Sequence, residues 1–317
     1  MAENLYIGVD LGGTNIATGI VTQSGRIVEK VSIPTNAELG GEAVVRRIIE
    51  SCDLVAEKAG IDRSDIRAIG IGVPGMMNID TGDVIFCPNL PLNHMNITRE
   101  LSEKWGIPVR INNDANCAAL GEAYAGGAKD TEYAIFLTVG TGIGGGIIIN
   151  KKIYSGFNGA GGEVGHILVE LDGRLCGCGR KGCWEAYASA VGLVKTTKEF
   201  MEKHPETIMW KLVEGDIDKV SGRTAFDAKR AGDEVAKEVV DLYTRQLAAG
   251  IIDLINIFQP EVICIGGGVS NEGDYLLEPL RKIIEESRYT RDVPQTVVKR
   301  AELGNDAGIV GAAMLGL

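Results

Sequence analysis

The chain has 317 residues, 45% of them hydrophobic and 24% charged, with aromatics at 5% set against 43 glycines. A formal net charge of −11 advertises no basic face for neutralising phosphates, which argues against nucleic acid as a partner. No basic-plus-apolar leader pattern is present and no apolar run nears the roughly 18 residues that span a bilayer, so a soluble, cytoplasmic protein without a membrane partner is expected.

The length exceeds the usual single domain and predicts two domains with a cleft between them. Leu5 to Val9 is a short apolar run ending in Asp10, then Leu11-Gly12-Gly13-Thr14-Asn15, then a second apolar run to Val21. This reads as strand, glycine turn, strand, and Gln23-Ser24-Gly25 turns the chain into a third strand around Arg26 to Ser32. Gly12 and Gly13 can present backbone N–H groups to a phosphate, with Thr14 adding a hydroxyl and Asp10 open to a hydrated Mg²⁺. No Gly-Lys-Ser/Thr follows, so the turn is not a Walker A loop, and an ordinary hairpin fits the stretch equally well.

Glu42 to Ala59 spaces Val44, Val45, Ile48, Ile49, Cys52, Val55, Ala56 and Ala59 along one face, which predicts an amphipathic helix stopped by Gly60. Ile66 to Val73 is an apolar strand running into Pro74-Gly75, and ligands of α/β sheets bind at such strand ends. Ile85 to Pro91 is extended and proline-marked, with Asn89 on a loop. Pro108 to Ile111 forms a strand that delivers Asn112-Asn113-Asp114 to a helix from Ala115 to Ala125. Asp114 is most simply the N-cap of that helix, and the same position puts a carboxylate at a strand's carboxyl end.

Tyr133 to Val139, the glycine turn Gly140 to Gly146, Ile147 to Ile149 and Ile153-Tyr154 repeat the opening plan. Two such units imply two similar domains able to present two phosphate loops across a shared cleft. Gly161 to Glu185 then packs His166, Cys176, Cys178 and Cys183, with Glu163 and Glu185, into a glycine-rich loop. The C-x-C-x4-C cluster plus His166 is the tetrahedral ligand inventory of a structural zinc site. Buried apolar thiols usually arrive singly, as Cys52, Cys87, Cys117 and Cys264 do, and a disulfide pair would need an oxidising compartment. On their own, Glu163 and Glu185 read as solvated carboxylates.

Trp184 to Lys203 is predicted helical, and 205–221 is polar and unassigned. Asp233 to Phe258 is a long amphipathic helix closed by Pro260. Val262 to Ile265 is a strand running into Gly266-Gly267-Gly268, which either lies against a flat ligand such as adenine or is a plain strand-to-helix turn. A helix to Ile283, a strand at Thr296 to Val298 and an Ala/Gly-rich helix from Asn305 to Leu315 close the chain.

Asp10-Leu11-Gly12-Gly13-Thr14, Asn113-Asp114, Thr138 to Gly146, Glu163-Val164-Gly165-His166, Cys176 to Glu185 and Gly266 to Gly268 occur in one order. With them the chain resembles, over essentially its whole length, the bacterial glucokinases of the repressor, open reading frame, kinase (ROK) family. The resemblance implies an α/β, two-domain actin-like ATPase fold of the sugar kinase, ribonuclease H-like type, with a cleft between domains. Residues 1–112 plus 303–317 would form the small domain, and 113–302 the larger one with the zinc loop.

By the same resemblance the activity is ATP-dependent phosphorylation of glucose at its 6-hydroxyl, with Asp114 as general base. Gly75, Asn89, Asn113, Asp114, Glu163, His166 and Glu185 would hold the sugar. Asp10, Gly12, Gly13, Thr14, Thr141, Gly142, Gly267 and Gly268 would hold the nucleotide. Zinc would sit on His166, Cys176, Cys178 and Cys183, Mg²⁺ on Asp10, and the protein would be a homodimer or homotetramer. His166 can ligate zinc through one ring nitrogen and meet a sugar hydroxyl through the other. The loop Asn89 to Asn93 lacks the aromatic residue that glucokinases often place nearby, so N-acetylmannosamine or another hexose stays open as acceptor. The family's repressors carry an added helix-turn-helix domain, whereas here the first kinase strand starts by Leu5; this disfavours a sugar-responsive regulator.

Overall fold

The computed structural model describes residues 3–317. By residue proximity the chain divides into two compact units. The first comprises the residues up to Phe136, Gly145–Gly162 and Ala301–Leu317, and the second comprises Leu137–Gly144 and Glu163–Arg300.

In the first unit β1 (Leu5–Leu11), β2 (Asn15–Thr22) and β3 (Ile27–Pro34) form an antiparallel meander. Exposure alternates along β3, as expected of an edge strand with one solvated face, while β1 is buried through its middle. Helix α1 (Gly41–Ala59) buries Val44, Val45, Ile48, Cys52 and Val55, and it stops where Gly60 adopts a left-handed conformation. Strand β4 (Ile66–Val73) runs parallel to β1. Three short strands follow, β5 (Met76–Asn78), β6 (Asp83–Phe86) and β7 (Met95–Asn96), as a small antiparallel sheet. Then come α2 (Arg99–Trp105), β8 (Val109–Asn113) and α3 (Asp114–Ala125). The first sheet has the order β3-β2-β1-β4-β8.

The second sheet repeats that order with β9 (Ala134–Val139), β10 (Ile143–Ile149) and β11 (Lys152–Ile153). After the cysteine-rich loop come α4 (Glu185–Ala188), α5 (Ala190–Lys203), α6 (Met209–Leu212), α7 (Thr224–Arg230) and α8 (Glu234–Phe258). Strand β12 (Val262–Gly266), α9 (Asp274–Glu286), β13 (Val297–Arg300) and α10 (Ala307–Met314) follow. The sheet order is β11-β10-β9-β12-β13, so both sheets place a meander beside parallel strands.

Three expectations change. The continuous helix from Trp184 to Lys203 is broken at Ser189, whose extended backbone and side chain cap α5 by accepting from the Gly192 N–H at 3.1 Å. The expected boundary at residue 113 is not where the chain divides, because α3 packs along α10 inside the first unit. Gly311 makes that approach possible, since a Cβ there would lie 1.6 Å from the Cys117 carbonyl oxygen. The unassigned stretch 205–221 contains α6 and a short turn at Ile217–Lys219 capped by Asp216. Among the described residues no helix is long and apolar enough to cross a membrane.

Candidate active site and metal centre

In the first unit, parallel pairing aligns the carboxyl ends of three strands. Asp10 pairs with Gly72, Gly72 with Asn112, and Val73 with Asn113. Asn113, not Asp114, caps α3: its side-chain oxygen accepts from the N–H groups of Ala115 at 2.9 Å and Asn116 at 3.2 Å. Asp114 is the first helical residue and is therefore released from capping, although Oδ1 still accepts from the Ala115 N–H at 2.9 Å. Behind it, Asn112 Oδ1 accepts from Asn113 N and from the buried Asn116 Nδ2.

Burial pushes the carboxyls of both Asp10 and Asp114 up, Asp10 to about 6 with the charge of Asp114 adding to the effect. Two half-buried acids near each other fit a divalent cation, as a Mg²⁺ ligand role for Asp10 requires. Asn113 Nδ2 also donates to the Gly75 carbonyl at 3.2 Å. Gly75 has φ +108° and a Cβ there would sit 2.1 Å from the Phe86 carbonyl oxygen, so the residue must be glycine.

The turn after β1 is held by a residue that the sequence did not single out. Thr35 donates its N–H to the Thr14 carbonyl at 2.9 Å and its hydroxyl to the Gly12 carbonyl at 2.7 Å. Gly13 and Thr14 remain exposed, and the Asn89 carbonyl lies 4.0 Å from where a Cβ of Gly13 would be.

In the second unit, one ligand atom from each of His166, Cys176, Cys178 and Cys183 lies within 4.8 Å of the others. His166 Nδ1 is 3.7 Å from Cys176 Sγ, and Cys178 Sγ is 3.6 Å from Cys183 Sγ. A tetrahedral ion with bonds near 2.3 Å separates its ligands by about 3.8 Å, so the donor set fits zinc in spacing and chemistry. Arg174 anchors the base of this loop to the following helices. Its guanidinium donates to the Gly192 carbonyl, Thr196 Oγ1 and Glu199, and it stacks over Tyr187.

Glu163 is exposed and precedes the short turn Val164–His166. Glu185 is not simply solvated. Its Oε2 accepts from the Ile143 N–H at 2.9 Å, in the glycine turn after β9, and its Oε1 lies 3.6 Å from Cys176 Sγ. Thr141 and Gly268 line one pocket of about 440 Å³ together with Gly140, Arg223, Phe226 and Glu272. Gly267, at φ +81°, could not carry a side chain: a Cβ would lie 2.5 Å from the Val139 carbonyl oxygen. Arg223, Phe226 and Glu272 went unread because they belong to polar or helical stretches without a motif.

Comparison with known proteins bears on this arrangement. Residues 6–317 match the ROK family. The chain belongs to the ROK family. It is 40% identical to the glucokinase of Streptomyces coelicolor, over 98% of this chain and 97% of that protein. It is 38% identical to the glucokinase of Thermotoga maritima, over 99% and 98%. A ROK family glucokinase from Streptomyces griseus, solved in complex with glucose and AMPPNP, is similar in structure with a TM-score of 0.79 and 39% identity, covering 98% of each chain. The actin-like ATPase fold of ROK sugar kinases follows for this member.

Proposed function

We infer that this ROK protein is an ATP-dependent glucokinase that phosphorylates glucose at its 6-hydroxyl. Full-length likeness to glucokinases at 38–40% identity supports the reaction. The observation that carries the mechanism is Asp114: a half-buried carboxylate at a strand end, freed from helix capping by Asn113.

Phosphoryl transfer asks the protein mainly to position groups and stabilise charge. In this reading Asp114 accepts the proton of the attacking hydroxyl through a carboxylate oxygen. Burial raises its affinity for that proton, which suits a general base. Asn113, which is locked to Gly75, would meet sugar hydroxyls, as would Asn89, Glu163, His166 and Glu185. Gly12 to Thr14, Thr141, Gly142, Gly267 and Gly268 would offer backbone groups to the nucleotide, and the 440 Å³ pocket, lined in part by Gly140, Gly222 and Gly268, has room for its base. Mg²⁺ held at Asp10 would neutralise charge on the phosphates. Zinc on His166, Cys176, Cys178 and Cys183 would be structural, since four protein ligands leave no open position for a reacting water. The protein is proposed as a cytoplasmic homodimer or homotetramer.

Steady-state kinetics over glucose, mannose, fructose, N-acetylglucosamine and N-acetylmannosamine test the reading, with glucose expected to show the highest kcat/KM. A pocket built to bond hydroxyls rejects analogues that leave its polar groups unpaired, by up to about 10⁴–10⁵. A preference for an N-acetylated sugar would overturn the acceptor while leaving the kinase mechanism in place.

A further inference from the structure

Glu185 stands two residues after the last cysteine of the metal cluster and opens α4. Its carboxylate reaches across 42 residues of sequence to the Ile143 N–H at 2.9 Å, while its other oxygen lies 3.6 Å from Cys176 Sγ. Gly142 is shaped around it, because a Cβ there would lie 2.3 Å from Glu185 Oε2. One turn further on, the Ala190 N–H donates to the Gly140 carbonyl at 2.8 Å. Both ends of the glycine turn Gly140–Ile143 are therefore bonded to the segment that follows the cysteines. Thr141 and Gly268, on this side of the second unit, line the 440 Å³ pocket.

We propose that Glu185 is a positioning residue that couples metal occupancy of the cysteine cluster to nucleotide affinity, by clamping the Ile143 amide and so fixing the Gly140–Ile143 turn. The proposal rests on the kinase reading and deepens it. Glu185 then serves more than the sugar: a carboxylate has about four acceptor positions, so one oxygen can hold the Ile143 N–H while acceptor capacity remains for a substrate hydroxyl. Without a metal to gather them, the four ligands lose their common centre, so Cys176, which lies 3.6 Å from Glu185 Oε1, is freed to move, while buried Trp184, bonded to the Gln246 carbonyl, keeps the start of α4 in place. Arg174 holds the base of the loop to Gly192, Thr196 and Glu199 by bonds that involve no metal ligand. Metal loss is therefore expected to release the Glu185 clamp without unfolding α5.

The test is titration of full-length, metal-loaded protein with a non-hydrolysable ATP analogue and Mg²⁺ in the absence of sugar. Glu185→Ala is expected to weaken binding by about tenfold, the scale of a lost charge-assisted hydrogen bond. Glu185→Gln keeps an acceptor for the Ile143 N–H and is expected to bind within about threefold of wild type. Chelation of wild type should weaken binding by the same factor as Glu185→Ala, and chelation of Glu185→Ala should add nothing further, since both remove one contact. Equal affinity of Glu185→Ala and wild type, or a chelation penalty that adds in full on the alanine variant, overturns the proposal.

Hydrogen exchange at the Ile143 amide of the wild type gives a reading independent of nucleotide and of whether the alanine variant folds. Exchange should be slow with metal and at least tenfold faster after chelation, and no change sinks the clamp. Failure of wild type to bind the analogue under any condition would instead overturn the kinase reading, and the exchange measurement would still decide on the clamp.

Discussion

The two glycine turns invite comparison because they close equivalent strand pairs in sheets of the same order, yet they are held in different ways. The turn after β1 is secured by Thr35, one residue past the meander that the turn itself begins. The turn after β9 is secured by Glu185 and Ala190, which lie beyond an entire cysteine-rich loop. A repeated strand plan therefore fixes where a ligand-facing turn occurs, not what keeps it rigid. The first turn depends on a hydroxyl just past its own meander, and the second depends on a segment that follows a cluster of potential metal ligands.

The largest expected effect isolates the chemistry from both supports. Asp114→Asn should lower kcat by about 10²–10⁴, the range for loss of a general base, while zinc content and nucleotide affinity stay at wild-type values. A kcat within a few fold of wild type would remove Asp114 from that role.

Next, one zinc per chain is expected by metal analysis, and Cys178→Ser should lower both zinc content and activity. Its melting temperature should fall by about 5 °C, as expected of a local loss of order in a unit of this size. Fully active protein without zinc would erase the contrast between the turns.

Asp10 gives a smaller effect with a defined sign. Its carboxyl is raised from 3.8 to about 6 in the folded state, so between those values the native protein binds more protons than the unfolded chain. Stability contributed by this group is therefore highest in acid and is lost as pH rises through about 6. In Mg²⁺-free buffer, Asp10→Asn should be more stable than wild type at pH 7 by on the order of 1–3 kcal/mol in denaturant unfolding, and the gap should close near pH 4. A gap that persists at pH 4 would assign the gain to something other than the buried charge.

The smallest effect probes the first turn directly. Thr35→Val should raise the KM for ATP by about two- to tenfold with kcat nearly unchanged, the scale of one neutral hydrogen bond, and Thr35→Ser should restore it. Dependence of the Thr35→Val defect on chelation would show the two turns to be less separate than their contacts imply.

Much of this was legible in the sequence where the signal is local. Apolar runs ending in paired glycines marked both sheets, and the cysteine spacing marked the convergent His and Cys side chains, because strands, tight turns and ligand clusters of this kind are largely decided within a few residues. Asp114 lies at the strand end its sequence position implies, and of its two open readings the cap falls to Asn113, since both residues cap equally well and the first in the sequence takes the position. The break at Ser189 was hidden inside an uninterrupted helical period. Strands of two to four residues, such as β5 to β7, have too little length to show alternation. The partner of Glu185 is a main-chain N–H, which has no residue-type signature at all.

Helix α10 carries a consequence for how the chain is made. Every residue from Ala307 to Met314 is buried, and a Cβ at Gly8 or Gly70 would lie within 2 Å of its carbonyl oxygens. The connection leading to it is pinned by Glu122, a buried carboxylate that accepts from the N–H groups of Gly127, Glu302 and Leu303. During synthesis Glu163–Arg300 has emerged before α10 exists, whereas β1 must wait for nearly 300 further residues before its covering helix arrives. Contacts of such separation form slowly, and until they do an apolar sheet face stays open to the wrong partners. A nascent chain stalled before Ala307 should therefore be bound by chaperones through its earliest-made strands.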